Sequence, residues 1–401
     1  MRLWLAGLFL ALAAIAGIGC GGGEAGTSSP SSALPAPGGA VSVSISPASV
    51  DLSVEDTQQF TATVSGTSNA AVTWKVSGVA GGNAASGTIT TSGMYTAPAT
   101  VPASGAVQVS AISQADTSKL ATASVTITRP LVGHVFLLVE ENHSYSTVIG
   151  SSSMPYLNRL ASQFGLAASY YANVHPSIGN YFMLTTGQLV TTDDAFTGTV
   201  NVDNLVRELI AAGKTWKSYA ENLPSAGYTG GDKYPYLERH NPVSYFSDVR
   251  NSSVQRQNLV PFTQFATDLG NNQLPDFSYI VPNAEHDAHN CPDGTSGCSD
   301  SLKLSTADNW LKNNLGPLLS SPVFQKDGLL VIVFDEAAAS DSSHGGGHVA
   351  TLIVGPAVKP AFQSSTFYQH QNVLRLLVNS TGAAAAPGSS AAAGGMSEFL
   401  R

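Results

Sequence analysis

The sequence has few charged residues and few cysteines, and both shortages exclude functions. Only 11% of its 401 residues are charged, against about 25% in an average soluble domain. The net charge is −9, from 18 basic and 27 acidic residues. A face that binds nucleic acid needs clustered lysine and arginine to neutralise phosphates, so we expect no nucleic-acid partner. The three cysteines are too few to form a metal site by themselves.

The sequence also lacks an apolar run of comfortable membrane-spanning length. The run from Leu3 to Ile18 is shorter than the roughly 20 residues that a spanning helix needs, but it suits a signal peptide. We therefore expect residues 1–19 to be a signal peptide and the protein to be exported to the cell envelope or secreted. The sequence AGIGCGGG resembles a lipoprotein signal, which predicts acylation of Cys20 and a membrane anchor of that kind. An ordinary signal peptide with an uninvolved cysteine is the alternative.

Two low-complexity segments flank the rest of the chain. Residues 20–40 are mostly glycine, serine, proline and alanine, which predicts a flexible linker. Residues 381–401 are similarly biased and are predicted to be a disordered tail. Between them, Cys291 and Cys298 close the short segment CPDGTSGC. In an oxidising compartment this spacing predicts a disulfide.

Residues 41–129 alternate apolar and polar side chains in short runs separated by turn residues, which predicts an all-β sandwich. The segments SISPASVDLSVEDTQQFTATVSG, VTWKVSGV and GTITTSGMYTAPA resemble the group 2 bacterial Ig-like family. The resemblance implies a spacer, or a module that contacts glycans or another surface. No clustered acids, histidines or aromatic residues favour the second role, so we favour the spacer.

Residues 130–380 alternate predicted strands and helices, which predicts an α/β domain with a doubly wound, mostly parallel sheet. Two apolar runs in this part end in oxygen-bearing side chains. HVFLLVEEN leads to Glu141 and Asn142, and GLLVIVFDE leads to Asp335 and Glu336. Parallel strands present their carboxyl ends at one edge, and clustered carboxylates need a cation or protons, so the pattern favours a divalent-metal site. Two unrelated surface pairs are the alternative.

Ser177 lies in HPSIGNYFMLTTG, directly before a predicted helix. A serine at a helix amino terminus is either a helix cap or a nucleophile beside free N–H groups that stabilise an anion. The segment PNAEHDAHNC places acid and imidazole side chains together after another predicted strand, and His348 follows three glycines. These residues are candidates for binding a metal or a phosphate.

Six segments in this order, EENHSYSTVIG, HPSIGNY, HNPVSYFSD, PNAEHDAHNC, FDEA and GGGHVATLIVGPAVKP, resemble a bacterial and fungal phosphoesterase family. It contains acid phosphatases and phospholipases C and belongs to the alkaline phosphatase superfamily. The resemblance implies an alkaline-phosphatase-like fold and hydrolysis of phosphate esters through a phosphoserine, with a divalent metal. It implies Ser177 as nucleophile and as a metal ligand, together with Glu141, Asn142, Asp335 and Glu336.

The resemblance extends to the surrounding side chains. It implies phosphate contacts from Asn180, His240, Asn241 and His286, and acid–base roles for His289 and His348. Asp287, His289 and His348 match positions that hold either a second metal or the substrate phosphate, and the residues alone leave that choice open. Two positions depart from the family pattern, Gly179 in place of proline and Ala337 in place of glycine.

A phosphomonoester is the favoured substrate, because the sequence shows no added apolar lid or lipid-binding domain. A phospholipase C or phosphodiesterase is the rival within the enzyme class. A surface adhesion protein without catalytic activity is the rival outside it, although every matched ligand position is filled.

Overall fold

The computed structural model describes residues 39–98, 100–128 and 132–401. The predicted signal peptide and Cys20 lie outside the described residues. Within these ranges, no helix is both long enough and apolar enough to cross a membrane.

The described chain between residues 39 and 128 is all β. Its strands are β1 (Ser42–Ser46), β2 (Ser49–Ser53), β3 (Thr57–Gln59), β4 (Thr61–Ser65), β5 (Val72–Val76), β6 (Val79–Ala80), β7 (Gly82–Asn83), β8 (Gly87–Ile89), β9 (Met94–Thr96), β10 (Ala106–Ser113) and β11 (Leu120–Thr128). They form a five-stranded sheet in the order β2-β11-β10-β5-β6, a four-stranded sheet β3-β9-β8-β7 and the pair β1-β4.

This β-rich region has a hydrophobic core of its own. Alternate residues of β10 and β11 are buried, because successive side chains of a strand point to opposite faces. Val109 and Val125 meet Phe60 and Tyr95 there, and all four are fully buried. The predicted alternation therefore supplies the inward face of this region.

Residues 132–401 form an α/β unit with a second, larger core. Its strands are β12 (His134–Glu140), β13 (Gly165–Ala167), β14 (Tyr170–Tyr171), β15 (Trp216–Ala220), β16 (Leu259–Pro261), β17 (Phe277–Val281), β18 (Gly328–Phe334), β19 (Thr351–Val354), β20 (Gln363–Ser364) and β21 (Tyr368–Gln369). Its α-helices are α1 (Tyr145–Val148), α2 (Pro155–Gln163), α3 (Ser177–Thr186), α4 (Leu205–Ala211), α5 (Ser247–Arg250), α6 (Ser253–Arg256), α7 (Thr263–Gly270), α8 (Asp300–Ser320), α9 (Pro322–Asp327) and α10 (His370–Thr381). Short 3₁₀ helices span Glu238–His240, Pro242–Tyr245, Pro292–Gly294, Gly388–Ala391 and Ser397–Phe399.

The main sheet, predicted to be mostly parallel, is mixed. Its order is β16-β15-β17-β12-β18-β19-β13-β20. The pairs β18–β19 and β19–β13 are antiparallel, and the others are parallel. Strands β12 and β18 are parallel neighbours at its centre, and nearly all of their side chains are buried. This explains why both strands read as continuous apolar runs.

Residues 382–401 pack against the α/β core, so the predicted disorder of this tail is wrong. Phe399 is fully buried and lies edge-on to Phe362 at 5.2 Å. Met396 and Leu400 are buried in the same core. The few large apolar residues of the segment are concentrated near its end, where they anchor a stretch whose composition is otherwise typical of disorder.

Candidate active site

The four predicted oxygen ligands lie side by side at one edge of the main sheet. Glu141 and Asn142 follow β12, and Asp335 and Glu336 follow β18. The parallel register pairs Glu140 with Phe334, so the two strands end together. The Asn142 N–H donates to Asp335 Oδ1 at 3.1 Å. The three acids are almost completely buried.

Ser177 joins this cluster from helix α3. It is the first residue of the helix, and Pro176 precedes it as the capping residue. The Ser177 hydroxyl donates to Glu141 Oε2 at 3.3 Å and lies 3.1 Å from the amide of Asn142. Its side chain therefore faces the acids and does not cap the helix.

The Asn142 amide links Ser177 to both strand ends. The Asn142 side-chain amide is oriented with its nitrogen toward the acids. This nitrogen lies 3.2 Å from Asp335 Oδ1 and 3.2 Å from Glu336 Oε1. Its oxygen then accepts a hydrogen bond from His289 Nε2 at 3.0 Å. His289 thus lies at the site, where it holds the orientation of Asn142; its predicted acid–base role stays a prediction.

Burial and the closeness of like charges shift the pKa values of the acids. Burial and the neighbouring charges of Glu141 and Glu336 hold the pKa of Asp335 well above its usual range. Burial also raises the pKa of Glu336 to about 7, although His175 beside it acts in the opposite direction and Asp194 adds a smaller rise. Asp335 Oδ2 is buried without a hydrogen-bond partner. Such a group of carboxylates must bind protons or a cation.

The donor atoms fit a divalent cation by their chemistry, although their present arrangement does not. Three carboxylates, an amide and a hydroxyl are hard ligands of the type that such ions bind. As placed, however, no three His, Cys, Asp or Glu side chains within the described ranges are positioned to hold a metal ion. Glu336 Oε2 is instead paired with His175 Nδ1 at 3.1 Å. A cation would have to draw these side chains toward a common point.

His240 lies behind Glu141 rather than at the surface, which contradicts its predicted contact with phosphate. Its Nε2 lies 3.1 Å from Glu141 Oε1, and its Nδ1 lies 3.1 Å from Asp287 Oδ2. Burial favours the neutral ring, but Glu141 and Asp287 outweigh it and raise the pKa of His240. Tyr181 stacks on this ring at 5.2 Å and donates to Glu141 Oε1 at 2.7 Å. His240 and Tyr181 therefore position Glu141.

Asn241 and Asn180 were also predicted to contact phosphate, and their burial contradicts this. Asn241 is fully buried and accepts a hydrogen bond from Ser218 at 2.7 Å. Asn180 is fully buried, and its oxygen accepts from the N–H groups of Asn173 and Val174 at 3.0 and 3.2 Å. Protein atoms already bond to both amides, and Asn180 Nδ2 also donates to Glu336 Oε2 at 3.4 Å, so Asn180 lies beside the acid cluster.

The other three predicted residues are distributed among different partners. Asp287 lies beside His240, whereas His286 Nδ1 turns to Glu221 at 2.9 Å. His348 stacks between Tyr145 and Tyr171 at 4.3 and 4.8 Å.

The Nε2 of His348 bonds to the carbonyl of Ala168 at 3.0 Å, and burial lowers the pKa of its ring. Since Asp287, His289 and His348 have three separate sets of partners, the structure does not assemble the predicted second metal site from them.

The disulfide between Cys291 and Cys298 is formed, as predicted. It closes the loop that follows His289, and helix α8 begins two residues beyond it.

Three neighbours of the site were missed from the sequence. Tyr181 lies four residues after Ser177 on α3, and this helical spacing could have indicated it. His175 precedes Ser177 by two residues and could have been noticed for that reason. Asp194 accepts a hydrogen bond from the Ile178 N–H at 3.2 Å, and no local pattern in the sequence indicates this contact.

Comparisons with known proteins found a matching family model and several similar proteins. The model of the Phosphoesterase family matches residues 151–382, which is more than half of the chain. The phosphatidylinositol-3-phosphatase of Mycobacterium tuberculosis is 32% identical over 253 residues, covering 62% of this chain and 76% of that protein.

A probable acid phosphatase of Kluyveromyces lactis is 29% identical over 251 residues, and this chain spans only 56% of its length. That match covers 60% of this chain. A solved protein of the alkaline phosphatase superfamily from Vibrio parahaemolyticus aligns with a TM-score of 0.47 and 13% identity. That alignment covers 68% of this chain and 72% of the other.

Proposed function

Because the chain belongs to the Phosphoesterase family and is a phosphoric ester hydrolase, we propose that it cleaves phosphate monoesters with Ser177 as nucleophile. The observation that carries the proposal is the position of the Ser177 hydroxyl. It lies within 3.3 Å of Glu141 and 3.1 Å of the Asn142 amide, at the start of a helix. Relatives named as phosphatases support the choice of a phosphomonoester.

Ser177 attacks the phosphorus atom, forming a serine–phosphate ester as the bond to the leaving alcohol breaks. Water then cleaves that ester and regenerates the hydroxyl. Glu141 Oε2 is the acceptor that the Ser177 hydroxyl already faces. His240 and Tyr181 hold Glu141 in place, and His289 holds Asn142. Positioning of the nucleophile therefore supplies much of the catalysis.

A divalent cation would be held by Glu141, Asn142, Ser177, Asp335 and Glu336. It would lower the pKa of the Ser177 hydroxyl and neutralise charge on the transferred phosphoryl group. The support is the chemistry of these donors and the burial of three acids close together, of which Asp335 keeps one oxygen without a hydrogen-bond partner. The identity of the ion is left to experiment.

We also propose that the protein is exported and that residues 41–129 are an Ig-like spacer. The separate core of the β-rich region supports an independent domain, and the disulfide supports an oxidising compartment. Acylation of Cys20 would anchor the chain, and the spacer would then hold the catalytic unit away from the membrane.

The test is hydrolysis by the full chain of p-nitrophenyl phosphate, bis-p-nitrophenyl phosphate and phosphatidylcholine, with and without chelator, beside Ser177→Ala. We expect release from the monoester alone, loss with chelator, recovery with added divalent metal, and a loss of about 10⁴-fold or more in Ser177→Ala. Release from the diester or lipid would favour a phosphodiesterase or phospholipase C. Full activity of Ser177→Ala would refute the mechanism.

A further inference from the structure

The segment of residues 188–195 lies over the first turn of α3, beside the nucleophile. A side-chain carbon added at Gly179 would lie 3.3 Å from the Thr191 carbonyl oxygen and 3.5 Å from Leu189 Cδ2. Leu189 is 48% exposed, and residues 192–195 are exposed as well. The segment is therefore in van der Waals reach of the helix start and faces solvent on its other side.

Asp194 is the residue of this segment that reaches the helix. Its Oδ1 accepts the Ile178 N–H at 3.2 Å, and Ile178 directly follows Ser177. The first N–H groups of a helix have no partner within it and attract anions. Pro176, the capping residue, makes no side-chain cap. A carboxylate thus occupies an anion position one residue from the proposed nucleophile.

We propose that Asp194 limits the affinity of the site for phosphate, because its carboxylate occupies the place of a phosphoryl oxygen at the Ile178 N–H. A phosphate dianion that reaches Ser177 must displace this carboxylate from the Ile178 N–H or bind against its charge. Asp194 therefore weakens the binding of phosphate esters and of the inorganic phosphate product. The inference rests on the proposed function, because it takes Ser177 as the point at which phosphate binds.

A purely structural role for Asp194, in which its side chain only caps the amino terminus of α3, predicts a different outcome. Asp194→Asn keeps a side-chain oxygen that can accept the Ile178 N–H but removes the charge. Asp194→Ala removes both. The matched control is Asp193→Asn, because Asp193 carries the same charge in the same exposed segment and bonds only locally, to the Ala195 N–H at 3.0 Å.

The experiment measures the affinity of the full chain for inorganic phosphate by titration calorimetry, together with KM for p-nitrophenyl phosphate. In Asp194→Asn and Asp194→Ala we expect phosphate to bind about three- to tenfold more tightly and KM to fall by a similar factor. The reason is that each variant removes one negative charge close to the bound phosphate. Asp193→Asn should change either value by less than about twofold, because the Asp193 carboxylate bonds to the Ala195 N–H and not to the start of the helix.

Unchanged or weaker phosphate binding in both Asp194 variants would overturn the proposal, as would an equal gain in Asp193→Asn. A lower melting temperature of Asp194→Ala with unchanged phosphate affinity would leave Asp194 as a helix cap. Failure of the proposed function is distinguishable, because it would appear as an inactive wild type. Calorimetry reports phosphate binding without requiring turnover.

Discussion

The β-rich region and the α/β unit differ in whether they bury charged side chains. Among described residues 39–128, the buried polar side chains are Ser86 and Ser113, and no acid, base or histidine is buried. The α/β unit buries Glu140, Glu141, Asp335 and Glu336 within two neighbouring strand ends. Glu140 has no hydrogen-bond partner for either oxygen. Apolar burial alone therefore accounts for the core of the first region, whereas the second tolerates costly buried charge at its site.

Among the changes that compare the two regions, the largest expected effect comes from removing one of these buried acids. Asp335→Asn should lower monoesterase activity by more than about 100-fold, since it removes one of the proposed metal ligands. In the presence of chelator it should also raise the melting temperature near pH 7.5, because the folded chain no longer has to protonate this carboxyl or bury its charge. Hydrolysis assays and thermal unfolding test both effects.

The matched control for that experiment is Asp268→Asn. Asp268 is equally buried but is paired with Lys217 and accepts from Tyr219 at 2.7 Å. Its replacement should lower the melting temperature. A fall in both variants would contradict the account of unbalanced charge at the site.

A core substitution in the β-rich region should lower stability and leave activity unchanged. Phe60 is fully buried and packs edge-on against Tyr95 at 6.3 Å. Phe60→Ala should lower the free energy of unfolding of this region by about 3–5 kcal/mol and leave kcat unchanged. Circular dichroism during denaturation and monoester hydrolysis measure the two quantities.

Phe136→Ala is the corresponding change in the α/β core, because Phe136 is a fully buried residue of the strand that carries Glu141. It should reduce stability and activity together. Equal loss of kcat in Phe60→Ala would show that the two regions do not act independently.

The smallest expected effect is a pH dependence of stability. The folded chain raises the pKa of Glu336 from 4.5 to about 7, so between these values the folded state binds more protons than the unfolded state. The free energy of unfolding of the chelator-treated protein should therefore fall as pH rises through this window. Urea denaturation at several pH values should show a shallower fall in Glu336→Gln. An undiminished slope in that variant would contradict the assignment.

Features set by local pattern were predictable from the sequence. The apolar runs of β12 and β18 predicted buried neighbouring strands, and their ends predicted the cluster of Glu141, Asn142, Asp335 and Glu336. Position before a helix predicted that Ser177 lies at the amino terminus of α3, whereas its approach to the acids was implied only by the family resemblance. These inferences held because each depends on a short segment and on the shared edge of a sheet.

Partners chosen by tertiary packing were not predictable. His240 lies in a motif that resembles the family's phosphate-contacting loop. In the structure its buried ring instead contacts Glu141, Asp287 and Tyr181. The composition of the tail predicted disorder, but Phe399 packs into the hydrophobic core of the α/β unit. Asp194 reaches Ile178 from a loop whose sequence contains no sign of the contact.

The most direct test of the central claim is detection of the phosphorylated nucleophile. The wild-type chain, loaded with divalent metal, is mixed with p-nitrophenyl phosphate, quenched rapidly in acid, digested and analysed by mass spectrometry. The account predicts one added phosphoryl group on the peptide that contains Ser177, absent from chelator-treated wild type and from Ser177→Ala. Turnover without that adduct, or an adduct on another residue, would contradict it.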